Sequence, residues 1–130
     1  APLWDAATAA PVLLALARRA DIVFTGRDEA EVLWGTVRAE DVRALLPDVA
    51  ELVVKDGDVG ATAFSREGSA FVPSLVVDVV EPVGAGDAFA GGYLSALLSN
   101  ASMEDRLTAG HAFAARTLAS LTDTVEGHDL

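Results

Sequence analysis

The sequence predicts an α/β layered domain with a mainly parallel sheet, and three observations predict it. Helical and strand patterns alternate through the first half, a cluster of short strands follows, and two long helical segments come last. The 130 residues suit one domain, and an apolar content of 52% is enough material for a hydrophobic core.

The first helix is expected over residues 8–19. Leu13, Leu14, Leu16 and Ala17 form a helical stripe, and Arg18 and Arg19 stand where the negative end of a helix dipole favours cations. Residues 21–25, Asp-Ile-Val-Phe-Thr, are a β-branched and aromatic run that reads as a buried strand. Two short helices follow over 28–34 and 39–46, the second stopped by Pro47. Residues 52–55, Leu-Val-Val-Lys, read as a second buried strand. The Asp-Gly-Asp-Val-Gly run at 56–60 has the turn chemistry to reverse the chain into 61–65. A turn at 66–68 leads to strands over 69–73 and 75–80. Helices over 87–98 and 103–121 are then separated by Ser-Asn-Ala-Ser. The chain opens on a connection into a helix and shows only two strongly buried parallel strands, few for a self-sufficient doubly wound sheet. It is therefore expected to be part of a larger protein.

Composition removes several functional classes. The chain has no cysteine, so a disulfide framework and a thiolate metal site are both excluded. No stretch reaches the ~20 apolar residues of a membrane-spanning helix, and the first residues carry no basic-then-apolar secretory pattern. A soluble, cytoplasmic protein is the expectation. A formal net charge of −11 disfavours nucleic acid and anionic membranes as partners. Any phosphorylated ligand must then be held by local backbone donors or by a cation.

Residues 81–93, Glu-Pro-Val-Gly-Ala-Gly-Asp-Ala-Phe-Ala-Gly-Gly-Tyr, are where such donors are expected. A strand enters a glycine turn that opens a helix, and neither lysine nor arginine occurs from 81 to 100. The free amides of a helix N-terminus, with the helix dipole behind them, can meet an anion without a cationic side chain. A dinucleotide fingerprint would need glycine at 89, which is Phe89, and no Gly-Lys-Ser/Thr loop occurs. Gly91 and Gly92 fall inside the expected helix, where each costs ~1 kcal/mol relative to alanine, so close packing or a ligand must require them. Phe89, Tyr93 and Leu97 mark one helical stripe, with Ala90, Leu94 and Leu98 beside it.

Gly84-Ala85-Gly86-Asp87-Ala88-Phe89 followed by Gly91-Gly92 resembles the C-terminal signature of the PfkB, or ribokinase-like, carbohydrate kinases. Supporting segments fall in that family's order: Leu3 and Trp4 ahead of the first helix, Asp21-Ile22-Val23 leading to Glu29, and Val53-Val54-Lys55 with Gly57 and Gly60. An alanine-rich helix around His111 follows the signature. The resemblance covers essentially the whole chain. It implies the C-terminal, nucleotide-binding half of a three-layer, Rossmann-like ribokinase fold, one α/β portion over residues 1–130, with the lid-bearing amino-terminal half absent. It also implies ATP and Mg2+ as cofactors and a small sugar or sugar acid as partner, and leaves homo-oligomerisation open.

Residue by residue, the resemblance makes Asp87 the catalytic base and Gly84, Ala85 and Gly86 the anion hole. It places Lys55, Gly57 and Gly60 at the nucleotide, His111 and Ala112 along the adenine pocket, and Glu29 at the metal. Two departures stand out. Glu81 and Pro82 replace the usual aspartate and threonine, and Gly26 replaces the asparagine of an Asn-X-X-Glu motif whose glutamate is Glu29. Leu3-Trp4 and Glu81-Pro82-Val83-Gly84 lean towards 2-keto-3-deoxygluconate kinases, with fructokinases and ribokinases as alternatives.

Each residue also has a plainer role. Asp87 can cap a helix, Glu29 can favour a helix dipole, Lys55 can be a solvated strand end, and Gly57 and Gly60 can be ordinary turn residues. His111 can be packing, as can Trp4 and Trp34. A catalytically silent nucleotide-binding relative and an α/β interaction domain are the competing functional classes. Nucleotide binding without turnover selects the first, and no nucleotide binding at all selects the second.

Overall fold

Helix α1 (Ala6–Arg19) ends on Arg18 and Arg19, as its dipole favours, and places Leu14 and Ala17 against the core. The computed structural model describes residues 6–57, 59–74 and 85–128. Strand β1 (Ile22–Gly26) follows, then α2 (Arg27–Trp34), α3 (Ala39–Leu45) and β2 (Glu51–Asp56). Gly35, at φ 72°, closes α2 with its amide donating to the Glu31 carbonyl, a left-handed conformation that glycine adopts without strain. Strands β3 (Gly60–Ser65) and β4 (Gly68–Pro73) come next, then α4 (Ala85–Leu98) and α5 (Met103–His128). The strand expected over 75–80 and the glycine turn through Gly84 lie outside the described residues.

The strands form one sheet in the order β1-β2-β3-β4. β1 and β2 are parallel, in a register that runs from Ile22 opposite Glu51 to Gly26 opposite Lys55. The connections from β2 to β3 and from β3 to β4 are far shorter than the dozen or so residues a parallel crossover needs, so those pairs run antiparallel. The α/β class is as expected, and the described sheet is mixed, its parallel character confined to β1 and β2.

The chain divides into two compact units. The first takes in the residues through Asp56 together with Ala61–Ala70, and the second Gly57–Gly60 together with the chain from Phe71 onward. The first unit's core joins Ala30 of α2, Val42 of α3, Leu46, Val49, Leu52 and Val54 of β2, and Phe64 of β3. Trp34 packs against it and donates its indole N–H to the Ala10 carbonyl at 3.0 Å, tying α2 to α1. The packing role expected of Trp34 is the one it has. Trp4 lies outside the described residues.

The second unit is built on the pairing of α4 with α5. Phe89 and Tyr93 of α4 and Leu107 of α5 are fully buried. Leu97 is half-buried and Leu98 is 85% exposed, so the apolar face of α4 is narrower than its sequence suggests. Asn100, at φ 61°, turns the chain out of α4, and the Ser102 hydroxyl accepts the Asp105 amide at 3.1 Å to start α5.

Candidate active site

Helix α4 starts at Ala85, ahead of the expected residue 87, so Asp87 is the third helical residue and not the cap. Its carboxylate sits in the first turn, where the dipole favours negative charge, and both Gly86 and Asp87 are exposed. The amides of the first turn have no intrahelical partners. The position of Gly84 in this cradle lies outside the described residues.

The glycines of α4 and α5 divide by surroundings. A Cβ at Gly92 would lie 2.5 Å from the Ala109 carbonyl oxygen, and one at Gly110 would lie 2.8 Å from the Phe89 ring. These two glycines let the helices cross closely. A Cβ at Gly91 would meet nothing within 4 Å among the described residues.

His111 is buried, and its Nε2–H donates to the Val72 carbonyl at 2.9 Å, joining α5 to β4. Because a carbonyl only accepts, the proton must be on Nε2. The ring also meets Phe89 edge-on, with centroids 5.1 Å apart. Packing therefore accounts for His111, while the adjacent Ala112 keeps partial exposure. In the same unit, Gly57 takes φ 45° at the exposed turn after β2. Gly60 is required by close approach, since a Cβ there would stand 2.6 Å from both the Phe71 ring and the Val72 carbonyl oxygen.

The first unit holds the other two predicted residues. Gly26 closes β1 beside Lys55 at the carboxyl end of β2, and Glu29 is exposed in the first turn of α2. In open α/β sheets, ligand sites form beyond the carboxyl ends of parallel strands, which is where these residues stand. A Cβ at Gly26 would touch the Glu29 carboxyl group at 3.4 Å, an ordinary contact, so the backbone there admits a larger residue.

Arg27 was not singled out by the sequence. Its guanidinium donates to Asp56 at 3.0 Å and to the Val37 carbonyl at 3.1 Å, and it also pairs with Glu31 and Asp28. The Asp56 hydrogen bond is the main influence holding Arg27 above its ordinary pKa, reinforced by the surrounding carboxylates. The link pins α2 to the end of β2, next to Lys55. Its partners are 29 residues apart, and no local pattern announces them.

Among the described residues no three His, Asp or Glu side chains are grouped to hold a metal ion, and no helix is long and apolar enough to cross a membrane. A cavity of about 290 Å³ lined by Arg18, Leu45, Pro47 and Asp48 contains none of the predicted site residues.

A parallel strand pair with helices packed on it, and a helix N-terminus bearing one exposed carboxylate, place the chain in the α/β class. A PfkB protein from Polaromonas sp. JS666 superposes with a TM-score of 0.72 at 34% identity, over 83% of this chain and 35% of that one. A structure described as a ribokinase II from Escherichia coli, in complex with ATP and Mg2+, gives a TM-score of 0.67 at 27% identity, over 81% and 35%. Residues 1–124 match the model of the pfkB family of carbohydrate kinases, and the chain belongs to that family. Over 70% of its length it is 37% identical to the 2-dehydro-3-deoxygluconokinase of Escherichia coli K12, covering 31% of that protein. Over 97% of its length it is 35% identical to a probable fructokinase-6 of Arabidopsis thaliana, covering 35% of it. The chain thus spans about a third of the length of these relatives.

Proposed function

We propose that the chain is the nucleotide-binding portion of an ATP-dependent cytoplasmic kinase that phosphorylates a hydroxyl of a sugar or sugar acid, with a 2-keto-3-deoxygluconate-type acceptor favoured. The lid and most acceptor contacts belong to an amino-terminal half outside residues 1–130. The observation that carries the reading is the exposed Asp87 in the first turn of α4, in a stretch without basic residues, on a chain of the carbohydrate kinase family.

Phosphoryl transfer needs positioning and charge stabilisation more than covalent chemistry from the protein. Asp87 orients the acceptor hydroxyl and takes its proton, while the amides of Ala85, Gly86 and Asp87, continuing the turn at Gly84, hold the developing negative charge. Lys55 and the turn at Gly57 and Gly60 serve the nucleotide phosphates. Ala112 lines the adenine pocket, and His111 shapes its wall by holding β4 at Val72. Magnesium, when bound, neutralises phosphate charge. Glu29, exposed in the first turn of α2, is the carboxylate that would stand near such an ion. The loss of the asparagine at Gly26 supports a second reading, a relative that binds nucleotide without turnover.

The test uses Asp87→Asn in the complete kinase. Turnover is expected to fall by about 10²–10⁴-fold with nucleotide affinity nearly unchanged, because asparagine keeps the size and loses the basicity. Wild-type turnover in the variant would remove Asp87 from the chemistry. Nucleotide binding with no turnover in the unsubstituted kinase would select the silent relative.

A further inference from the structure

Gly91 is a residue in the middle of α4 that the described structure does not explain. It is exposed, its φ lies in the ordinary helical region, and an added Cβ would meet nothing within 4 Å among the described residues. Its neighbour Gly92 is held to glycine by the Ala109 backbone, 2.5 Å from where a Cβ would be. Glycine in an exposed helix is less stable than alanine, so a position with room for alanine that remains glycine calls for another cause.

Helical geometry supplies one. Residues 87 and 91 are four apart and share a face, and helical side chains lean towards the N-terminus. A side chain at 91 would therefore cover the surface over the turn that carries Asp87. Gly86, Asp87, Gly91 and Ser95 are all exposed on α4, so the surface around the carboxylate is backbone and small side chains. Lysine and arginine are both absent from residues 81–100.

We propose that Gly91 is a specificity-determining residue that keeps a side-chain-free floor beside Asp87, on which the carbon chain of the phosphoryl acceptor lies. The inference rests on the reading of Asp87 as the base. The floor suits an uncharged polyhydroxylated segment, since van der Waals contact with backbone is available there and a carboxylate of the acceptor would stand beside that of Asp87. If the acceptor carries a carboxylate, that group points away from α4. A methyl group at 91 lifts the acceptor from the floor and moves its hydroxyl relative to Asp87, whereas the nucleotide keeps its own contacts.

The test compares Gly91→Ala and Gly91→Leu with the unsubstituted complete kinase, using 2-keto-3-deoxygluconate and ATP, with thermal melting recorded for each. Gly91→Ala is expected to melt at or above the parent temperature, to lose about 10–200-fold in kcat/KM for the acceptor, and to keep KM for ATP within about twofold. Gly91→Leu should lose more than Gly91→Ala does. Parent-like acceptor kinetics in both variants would overturn the proposal while leaving Asp87 in place. A lower melting temperature for Gly91→Ala would also overturn it, because glycine would then be required by packing against the rest of the kinase. An Asp87→Asn control that retains full turnover would instead overturn the base assignment, and the floor with it.

Discussion

Replacing Gly92 with alanine tests how closely α4 and α5 cross. The added Cβ would stand 2.5 Å from the Ala109 carbonyl oxygen, 2.9 Å from its carbon and 3.0 Å from Cγ of Phe113, where ordinary contact begins at 3.4 Å. The nearest atoms are helix backbone, which cannot rotate aside, so the crossing must open by roughly 0.9 Å at that point. Overpacking of this kind costs ~1–3 kcal/mol, and the higher helix propensity of alanine returns ~1 kcal/mol. The steric cost wins, because opening the crossing also loosens Phe89 and Tyr93, both fully buried in the same helix. With the steric cost in the upper part of that range, ~2–3 kcal/mol, the net loss is about 1–2 kcal/mol, which lowers Tm by roughly 3–10 °C for a chain of this size. The assay is thermal and urea unfolding followed by far-ultraviolet circular dichroism, with an unchanged urea slope showing that the denatured state is the same. A Gly92→Ala chain that melts at or above the parent temperature would refute the close crossing and the reason given for Gly92.

His111→Phe keeps a ring against Phe89 but strands the Val72 carbonyl, and should cost about 1–3 kcal/mol in urea unfolding. Partial recovery in His111→Gln, which restores a donor, would assign the loss to that hydrogen bond, and equal losses in both variants would not. The Asp41 carboxylate accepts the Arg38 amide at 2.9 Å and the Val37 amide at 3.2 Å, which together hold its pKa below the ordinary 3.8. A depressed folded-state pKa adds stability above the unfolded value and loses it as pH falls through the folded one. Stability curves of the parent chain and Asp41→Ala, measured by urea unfolding, should therefore converge as pH drops below about 3.8, and curves that stay parallel would remove this role.

The elements legible in the sequence were those whose local signals agreed. β1 and β2 carry β-branched runs, the hairpin strands β3 and β4 are set off by turn residues, and each begins and ends within a residue or two of expectation. α5 runs on to His128, past the expected end at 121, since no proline or glycine stop precedes Gly127 in that stretch. The turn at 56–60 reads as a chain reversal, and its shortness, too little for a parallel crossover, agrees with the mixed sheet of the described strands. What the sequence could not show was anything that depends on a distant partner. Arg27 with Asp56, His111 with Val72, and Gly110 beneath Phe89 are all made by folding, and none has a periodic signature. The neighbours Gly91 and Gly92 look identical in sequence and have opposite surroundings, which only the placement of α5 reveals.

A net charge of −11 opposes a phosphorylated ligand, so what each basic residue near the strand ends is already bound to matters. Arg27 is the basic residue nearest Glu29 in sequence, yet its guanidinium is committed to Asp56, Asp28, Glu31 and the Val37 carbonyl. A phosphate there would have to displace three carboxylates, so Arg27 is better placed to hold the strand end than to hold a ligand. Lys55, the one lysine of the chain, stands at the carboxyl end of β2. A lysine is a compact point charge suited to a mobile phosphate chain, whereas the planar fork of Arg27 suits the fixed carboxylate it grips.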